Sequence, residues 1–141
     1  MAIRSLRSIV EGQTPITVAK TVTVLEAARM MKQQNVGALL VVDGSRLCGI
    51  FTERDALFRV LAEGRDPGAT RVGQVMTPQP QTIHPDRPFL DALRIMHKGR
   101  FRHLPVVEDE RPLGMVSSRD ALDDDLYELR ADLEQREDML E

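Results

Sequence analysis

Apolar side chains recur at helical spacing in two stretches of the chain. The first stripe is Val24, Ala27, Ala28 and Met31, and the second is Phe89, Ala92, Leu93 and Met96. Each follows the i, i+3, i+4, i+7 spacing that gives a helix one apolar face. Thr21 or Thr23 can cap the first helix, and Thr23 with Glu26 matches a capping box. Asp86, with Pro88 just inside the helix, is predicted to begin the second.

Short apolar runs follow each of these helices and predict strands. The runs are 37–42 and 47–51 in the first half, and 103–107 and 113–116 in the second. Asp43-Gly44 is a strong hairpin signal between the first pair, and residues 108–110 form the equivalent turn. Further helices are predicted to begin at Thr52 or Glu53 and at Ser117 or Ser118. With edge strands predicted at 15–18 and 81–84, each half has the order β-α-β-β-α.

A shift of 65 residues aligns the chain with itself without a gap. Between 24–57 and 89–122, thirteen of the 34 aligned pairs are identical. A unit of about 60 residues is marginally stable alone, so the two copies are expected to pack together. The predicted fold class is α+β. Its first repeat covers 1–68 with the N-terminal segment, and its second covers 69–141 with a C-terminal helical extension, joined by a turn-rich linker at 64–70.

The best-matched local motif lies where a strand is predicted to run into a helix. Gly49-Ile-Phe-Thr-Glu-Arg-Asp55 aligns with Gly114-Met-Val-Ser-Ser-Arg-Asp120. The free N–H groups of a helix start and a nearby hydroxyl suit a phosphate, and an arginine adds a charged donor. The aspartate is a good acceptor for the paired hydroxyls of a ribose. The alternative is structural, because threonine, serine and aspartate are also common helix-capping residues.

These repeated elements and motifs resemble a tandem pair of CBS domains, named after cystathionine β-synthase. The Gly-x-x-Thr/Ser-x-x-Asp endings and the stretch Phe101-Arg-His-Leu-Pro-Val-Val107 carry the resemblance, which extends from about Pro15 to Leu122. It implies a pseudo-two-fold module whose cleft binds adenosine nucleotides. Together with the chemistry of the motif, which contributes Arg54 and Arg119, it predicts ligand contacts in both repeats. These are Thr17, Val36, Gly37, Ala38, Leu39, Ile50, Thr52, Arg54 and Asp55, followed by Thr82, Phe101, Arg102, His103, Leu104, Met115, Ser117, Arg119 and Asp120.

Within this set, the resemblance assigns the phosphate to Thr52 and Ser117 and the ribose to Asp55 and Asp120. Residues 36–39 and 101–104 correspond to segments that line the base. Ser117 replaces the threonine of the first repeat, and Pro105 stands where the first repeat has Leu40. The two sites are therefore expected to differ in affinity or ligand.

The implied function is that of a regulatory module that binds an adenine nucleotide and signals to a protein partner without catalysis. AMP, ADP, ATP, NAD and S-adenosylmethionine all offer the required base, ribose and charge. The alternative is a structural or interaction module with unoccupied clefts, which would release no ligand from the purified protein. A nucleotide-processing enzyme is a third reading, disfavoured because the repeats use up the chain and no catalytic set is recognisable.

Charge and composition indicate which classes of partner the protein is expected to lack. The last 22 residues carry a net charge of −8, which leaves +5 on residues 1–119. This modest basic balance and 4% aromatic content disfavour nucleic acid. The single cysteine, Cys48, and the short apolar runs predict a cytoplasmic protein without a membrane span. The histidines and Cys48 lack metal-ligand spacing, so no metal is expected.

The acidic C-terminal segment has a stripe of leucines. It is predicted to continue the last helix, with the stripe on one face at Leu122, Leu126, Leu129, Leu133 and Leu140. A stripe of this kind either packs on its own domain or covers a partner subunit. A homodimer that uses this stripe and other helical faces is the prediction.

Overall fold

A computed structural model describes residues 4–140, and the side chains of Asp123 and residues 137–140 lie outside the described part. The helices and strands, in chain order, are α1 (Leu6–Val10), β1 (Thr17–Ala19), α2 (Val24–Gln34), β2 (Ala38–Asp43), β3 (Arg46–Thr52), α3 (Glu53–Asp55), α4 (Val72–Val75), β4 (Thr77–Pro78), α5 (Phe89–Gly99), β5 (His103–Glu108), β6 (Arg111–Ser117) and α6 (Asp123–Leu140). A π-helical segment (Ala56–Leu61) continues α3, and a 3-10 turn (Ser118–Asp120) follows β6. The predicted α+β fold with two repeats is confirmed.

The described residues form two compact units. The first-repeat unit comprises residues 14–81 and 109–112. The second-repeat unit comprises residues 4–13, 82–108 and 113–140. The compact units differ from the halves predicted from the sequence, 1–68 and 69–141, at three places. Residues 4–13 belong to the second-repeat unit, whereas residues 69–81 and the tip of the second hairpin, 109–112, belong to the first-repeat unit.

The first-repeat unit is built on a four-stranded sheet in the order β1-β2-β3-β4. β1 is parallel to β2, and β2 and β3 form an antiparallel hairpin whose turn has Gly44 at a φ of 65°. The α2 helix begins with the predicted capping box of Thr23 and Glu26. Val24, Ala27 and Met31 of its predicted apolar stripe pack into a core, whereas Ala28 of that stripe is exposed. The buried residues of this core are Val18, Val24, Ala27, Met31, Leu39, Val41, Phe51, Val60, Val72 and Val75.

The second-repeat unit repeats the hairpin and its helix with small changes. β5 and β6 form a two-stranded sheet, and a single bridge from Ile83 to Val106 replaces the edge strand expected at 81–84. The predicted cap of α5 is wrong, because Pro88 occupies the N-cap position without a side-chain hydrogen bond. The Asp86 carboxylate instead accepts two hydrogen bonds from the Arg7 guanidinium.

Each repeat packs with the segment that precedes the other repeat. In the second-repeat unit, the N-terminal segment is held by Phe89 N–H to Arg4 C=O at 2.8 Å, Leu6 N–H to Arg87 C=O at 3.1 Å and Arg7 N–H to Pro85 C=O at 2.9 Å. In the first-repeat unit, the equivalent bonds are Val24 N–H to Thr70 C=O at 2.9 Å, Val72 N–H to Val22 C=O at 2.8 Å and Gly73 N–H to Lys20 C=O at 3.0 Å. The same main-chain pattern therefore holds two exchanged segments, 4–13 and 70–78.

The chain after the two motifs differs between the repeats. After Asp55 the helix widens, since Ala62 N–H bonds to Leu57 C=O and Arg65 N–H bonds to Val60 C=O, five residues back. After Asp120 the helix breaks, which corrects the predicted continuous tail helix. Ala121 is extended, and the Asp120 carbonyl accepts a hydrogen bond at 3.1 Å from Arg4 instead of serving a helical turn.

The C-terminal helix packs on its own unit through one face. Arg94 on α5 donates two hydrogen bonds to Asp132, and this guanidinium holds the pKa of the Asp132 carboxyl below its usual range. Leu129 packs against the second-repeat core, whereas Leu122 and Leu126 are exposed. Leu133 is half-buried, and the side chain of Leu140 lies outside the described residues. The predicted leucine stripe is thus divided between its own unit and solvent.

We expect Gly49→Ala and Gly114→Ala to destabilise the fold, because both glycines lie under an exchanged segment. A Cβ at Gly49 would collide with Met76 Sδ, and one at Gly114 would lie 2.6 Å from Gln13 Oε1 and 2.9 Å from Val10 Cβ. Overpacking of this kind costs about 1–3 kcal/mol, measurable by urea unfolding.

Gly68→Ala is the matched control, because its Cβ would meet only Asp66 Oδ1 at an ordinary 3.5 Å. We expect its unfolding free energy to stay within about 0.5 kcal/mol of the parent. Equal stability of all three variants would contradict the close approach of the exchanged segments.

Candidate functional site

The two predicted motifs form hydroxyl–carboxylate caps at the ends of β3 and β6. Thr52 N–H donates to Asp55 Oδ2 at 3.0 Å, and Asp55 N–H donates to Thr52 Oγ1 at 3.2 Å. In the second repeat, Ser117 N–H donates to Asp120 Oδ2 at 2.7 Å. Ser117 Oγ accepts a hydrogen bond from Arg119 N–H at 3.3 Å. Both motifs therefore have the capping geometry that the structural alternative required.

Most predicted ligand-binding residues of the first repeat gather at one end of its sheet. Ala38 pairs with Thr52 across the hairpin, and Glu53 N–H donates to Gly37 C=O at 3.0 Å. Thr17 lies at the start of β1, parallel to β2 and paired with Leu40. The entry of β2, the exit of β3 and the start of β1 thus share this end with the capping motif.

The second repeat has the same arrangement around its hairpin. Ser118 N–H donates to Arg102 C=O at 3.1 Å, as Glu53 does to Gly37. Ile83, next to Thr82, bonds through its main chain to Pro105 and Val107. Phe101 packs against the core beside this entry, and His103 begins β5 half-buried. Met115 is half-buried two residues before Ser117.

Several of the predicted base-lining residues have buried side chains. Ala38, Leu39, Ile50 and Leu104 all belong to the buried core, while Val36 is partly buried. Their side chains serve packing, and what they offer at the end of the hairpin is main-chain N–H and C=O groups.

The two motif arginines are exposed. The Arg54 guanidinium lies over the Phe58 ring, 5.2 Å from its centroid, which is a cation–π contact. Arg119 is exposed beside Ser117, and Arg102 is exposed at the entry of β5. Over the described residues, none of these three arginines forms an ion pair with a carboxylate. Their charge is therefore available to an anionic group.

The two aspartates differ in their surroundings. Asp55 is 5% exposed, and its Oδ1 accepts a hydrogen bond from Thr77 Oγ1 at 3.2 Å and lies 3.5 Å from Arg59 Nε. Asp120 is partly exposed. Sequence reasoning missed both Thr77 and Arg59. Arg59 has a readable signal in its i, i+4 spacing from Asp55, whereas Thr77 comes from an exchanged segment without such a signal.

A group of titratable side chains meets outside the motifs. His84, Asp86 and Glu108 bring potential metal-ligating atoms within 4.8 Å of one another, a proximity that the spacing of histidines and cysteine did not predict. The Arg7 guanidinium donates to Asp86 and Glu108, and these carboxylates raise the pKa of Arg7. In this structure the group is an ion-pair network that ties α1 to its unit.

Comparisons with known proteins match the fold. The CBS domain model matches residues 8–62 and 72–126. The chain is 39% identical over 117 residues to the mitochondrial CBS domain-containing protein CBSX3 of Arabidopsis thaliana, covering 79% of this chain and 57% of that protein. It spans 20% of a second Arabidopsis relative, CBSCBSPB1.

Solved structures agree with this match. The CBS-domain containing protein ATU1752 from Agrobacterium tumefaciens is 30% identical, with a TM-score of 0.75 over 82% of this chain and 94% of that one. The CBS domain protein PAE2072 from Pyrobaculum aerophilum, solved in complex with AMP, shares the fold at 24% identity and a TM-score of 0.80, covering 92% and 99% of the two chains.

Two findings concern the cellular location of the protein. Among the described residues, no helix is long and apolar enough to cross a membrane. One relative is mitochondrial by name, so the expected cytoplasmic location stays a prediction.

Two matched domains, the hairpin and helix of each repeat, and the agreement with solved structures lead to one assignment. The chain belongs to the CBS-domain family, whose paired domains are regulatory modules.

Proposed function

We propose that this protein is a regulatory module that binds an adenine nucleotide and passes the ligand state to a protein partner. The observation that carries the proposal is the recurrence of one chemical set at the end of each hairpin. A hydroxyl, an exposed guanidinium and a carboxylate stand within four residues, as Thr52, Arg54 and Asp55, and as Ser117, Arg119 and Asp120. A structural neighbour complexed with AMP supports the choice of an adenine nucleotide.

The proposed phosphate contact depends more on charge than on helix geometry. Only one 3-10 turn follows Ser117, so the summed peptide dipole there is small. Arg119 therefore supplies the main attraction for the phosphate, with the Ser117 hydroxyl as a neutral donor. The adenine base is expected along the main chain of residues 36–39 or 101–104, since the side chains of Leu39 and Leu104 are buried.

An interaction module with unoccupied clefts is the second candidate function. The observation that favours it is the capping box in each repeat, where the carboxylate of the motif already accepts a main-chain hydrogen bond. On this reading, the motifs serve stability alone.

Arg119→Ala is expected to weaken AMP binding by about tenfold or more and adenosine binding much less. The arginine acts on the phosphate, and a charge-assisted hydrogen bond contributes more than about 1.4 kcal/mol. Calorimetric titration measures both ligands, after a thermal-shift panel of AMP, ADP, ATP, NAD and S-adenosylmethionine selects the tightest nucleotide.

The matched control is Arg111→Ala, which removes an exposed arginine from the start of β6, at the opposite end of the strand that leads to Arg119. It should leave both affinities unchanged. No thermal shift with any of the five compounds would contradict nucleotide binding and favour the unoccupied module.

We also propose a homodimer that covers exposed leucines. Leu57 and Leu61 are 49% and 71% exposed, and their equivalents Leu122 and Leu126 are 59% and 50% exposed. Each unit thus exposes leucines at the same two positions. Burying these side chains against a partner subunit would be favourable, because it removes apolar surface from water. The tail is predicted to contribute to the dimer, and the part left for that contact is its exposed face, because its Leu129 face packs on α5 and the core.

Leu61→Glu combined with Leu126→Glu is therefore expected to convert a dimer of twice 15.9 kDa into a monomer, as measured by light scattering. Substitution is a sharper test than truncation, because truncation would also remove the packing of Leu129 and Asp132. Ala28→Glu, at an exposed position on α2, is the control and should leave the mass unchanged. A parent protein that is monomeric at high concentration would contradict the dimer.

A further inference from the structure

The two copies of the motif have diverged in what surrounds the carboxylate. Resting on the proposed nucleotide binding, we propose that one nucleotide binds per chain, with Asp120 as the acceptor of its ribose hydroxyls. Asp55 is then a structural residue that holds the exchanged segment 70–78 in the first-repeat unit. The two aspartates differ in their hydrogen-bond partners, which decide how much of each carboxylate a ligand can reach.

Both carboxylate oxygens of Asp55 have protein partners. Oδ2 accepts from the main-chain N–H of Thr52 at 3.0 Å and from its hydroxyl at 3.2 Å. Oδ1 accepts from the Thr77 hydroxyl and faces the Arg59 guanidinium. At 5% exposure, this carboxylate has little surface to offer a ligand. A ribose diol would have to displace Thr77 and separate a nearly buried charge from Arg59.

Arg59 is itself fixed on the exchanged segment. Its Nη1 donates to the Met76 carbonyl at 2.9 Å, while its Nε faces Asp55. Thr77 is the next residue of that segment and reaches the same carboxylate oxygen. Asp55 is thus connected to the segment 70–78 in two ways, directly through Thr77 and indirectly through Arg59. These contacts stabilise the position of that segment.

Within the described part of the chain, Asp120 has no equivalent of either contact. The residue aligned with Arg59 by the 65-residue shift is Asp124, which is acidic and cannot form this ion pair. The exchanged segment in the second-repeat unit ends at Gln13, whose side-chain oxygen accepts from Met115 N–H at 3.2 Å. Among the described residues, the Asp120 carboxylate accepts hydrogen bonds only from Ser117.

The hydroxyl of the first-repeat motif is also held more closely by its carboxylate than the hydroxyl of the second. Thr52 Oγ1 lies 3.2 Å from Asp55 Oδ2, whereas Ser117 Oγ lies 3.5 Å from Asp120 Oδ2, at the limit of a hydrogen bond. Ser117 therefore loses little when its hydroxyl turns toward a phosphate. Among the described residues, both hydrogen bonds to the Asp120 carboxylate go to Oδ2, so Oδ1 has no donor and can accept from a ligand. In the first-repeat motif, both carboxylate oxygens already accept hydrogen bonds.

Calorimetric titration of the whole chain with AMP and with adenosine tests this assignment. We expect a stoichiometry of one AMP per chain. Asp120→Asn should weaken both ligands by about tenfold or more, because an amide is a poorer acceptor for the diol. Asp55→Asn should change both affinities by less than about threefold and lower the melting temperature. Asp124→Asn, which removes an exposed charge four residues from Asp120, should change neither property.

The outcomes separate the inference from the proposed function. Two AMP molecules per chain, or a folded Asp55→Asn variant that loses AMP while Asp120→Asn retains it, would overturn the inference and leave nucleotide binding intact. Absence of heat and of thermal stabilisation with every nucleotide in the panel would overturn both. If Asp55→Asn does not fold, the parent stoichiometry and the Asp120→Asn affinity still decide.

Discussion

The site depends on one interaction in each repeat, the hydrogen bond from the main-chain N–H at the end of the hairpin to the aspartate carboxylate three residues later. The main-chain N–H groups at the start of a helical turn need acceptors, and Asp55 and Asp120 supply them three residues downstream of Thr52 and Ser117. This contact fixes where the chain leaves the strand. It also places a hydroxyl and an arginine at the same end of the hairpin. The side chains that a ligand would use are therefore the ones that hold the turn, and binding must share them with the fold.

The exchanged segments extend this constraint to the rest of each unit. Segment 70–78 lies against Gly49 and reaches Asp55 through Thr77, while segment 4–13 lies against Gly114 without a comparable contact to the Asp120 carboxylate. Two similar local motifs thus acquire different chemistry from residues distant in sequence. Because a buried, doubly paired carboxylate gains little from a ligand and a half-open one can gain more, duplication of the motif does not imply duplication of the site.

The elements that local physics specifies could be predicted. The α2 stripe with its Thr23–Glu26 capping box, the two hairpins and the strand-to-helix position of Thr52 and Ser117 all follow from spacing and turn chemistry. The exchange of segments could not be predicted, because it depends on main-chain N–H and C=O groups, such as those of Arg4 and Phe89, that leave no residue signature. The break after Asp120 could not be predicted for a related reason, because the Asp120 carbonyl accepts a hydrogen bond from Arg4, which lies 116 residues away in the sequence. For the candidate site, the motif residues were recognisable, but the contacts of Asp55 with Thr77 were not.

The most direct test follows the main-chain amides of both motifs by two-dimensional 1H–15N NMR during titration with AMP. The Ser117 amide donates to the carboxylate that the ribose is proposed to share, and the Thr52 amide donates to one that stays committed. We predict that the signals of Ser117 and Arg119 move progressively to saturation while those of Thr52 and Asp55 stay in place. Equal movement of the Thr52 and Ser117 signals, or movement of Thr52 alone, would contradict it.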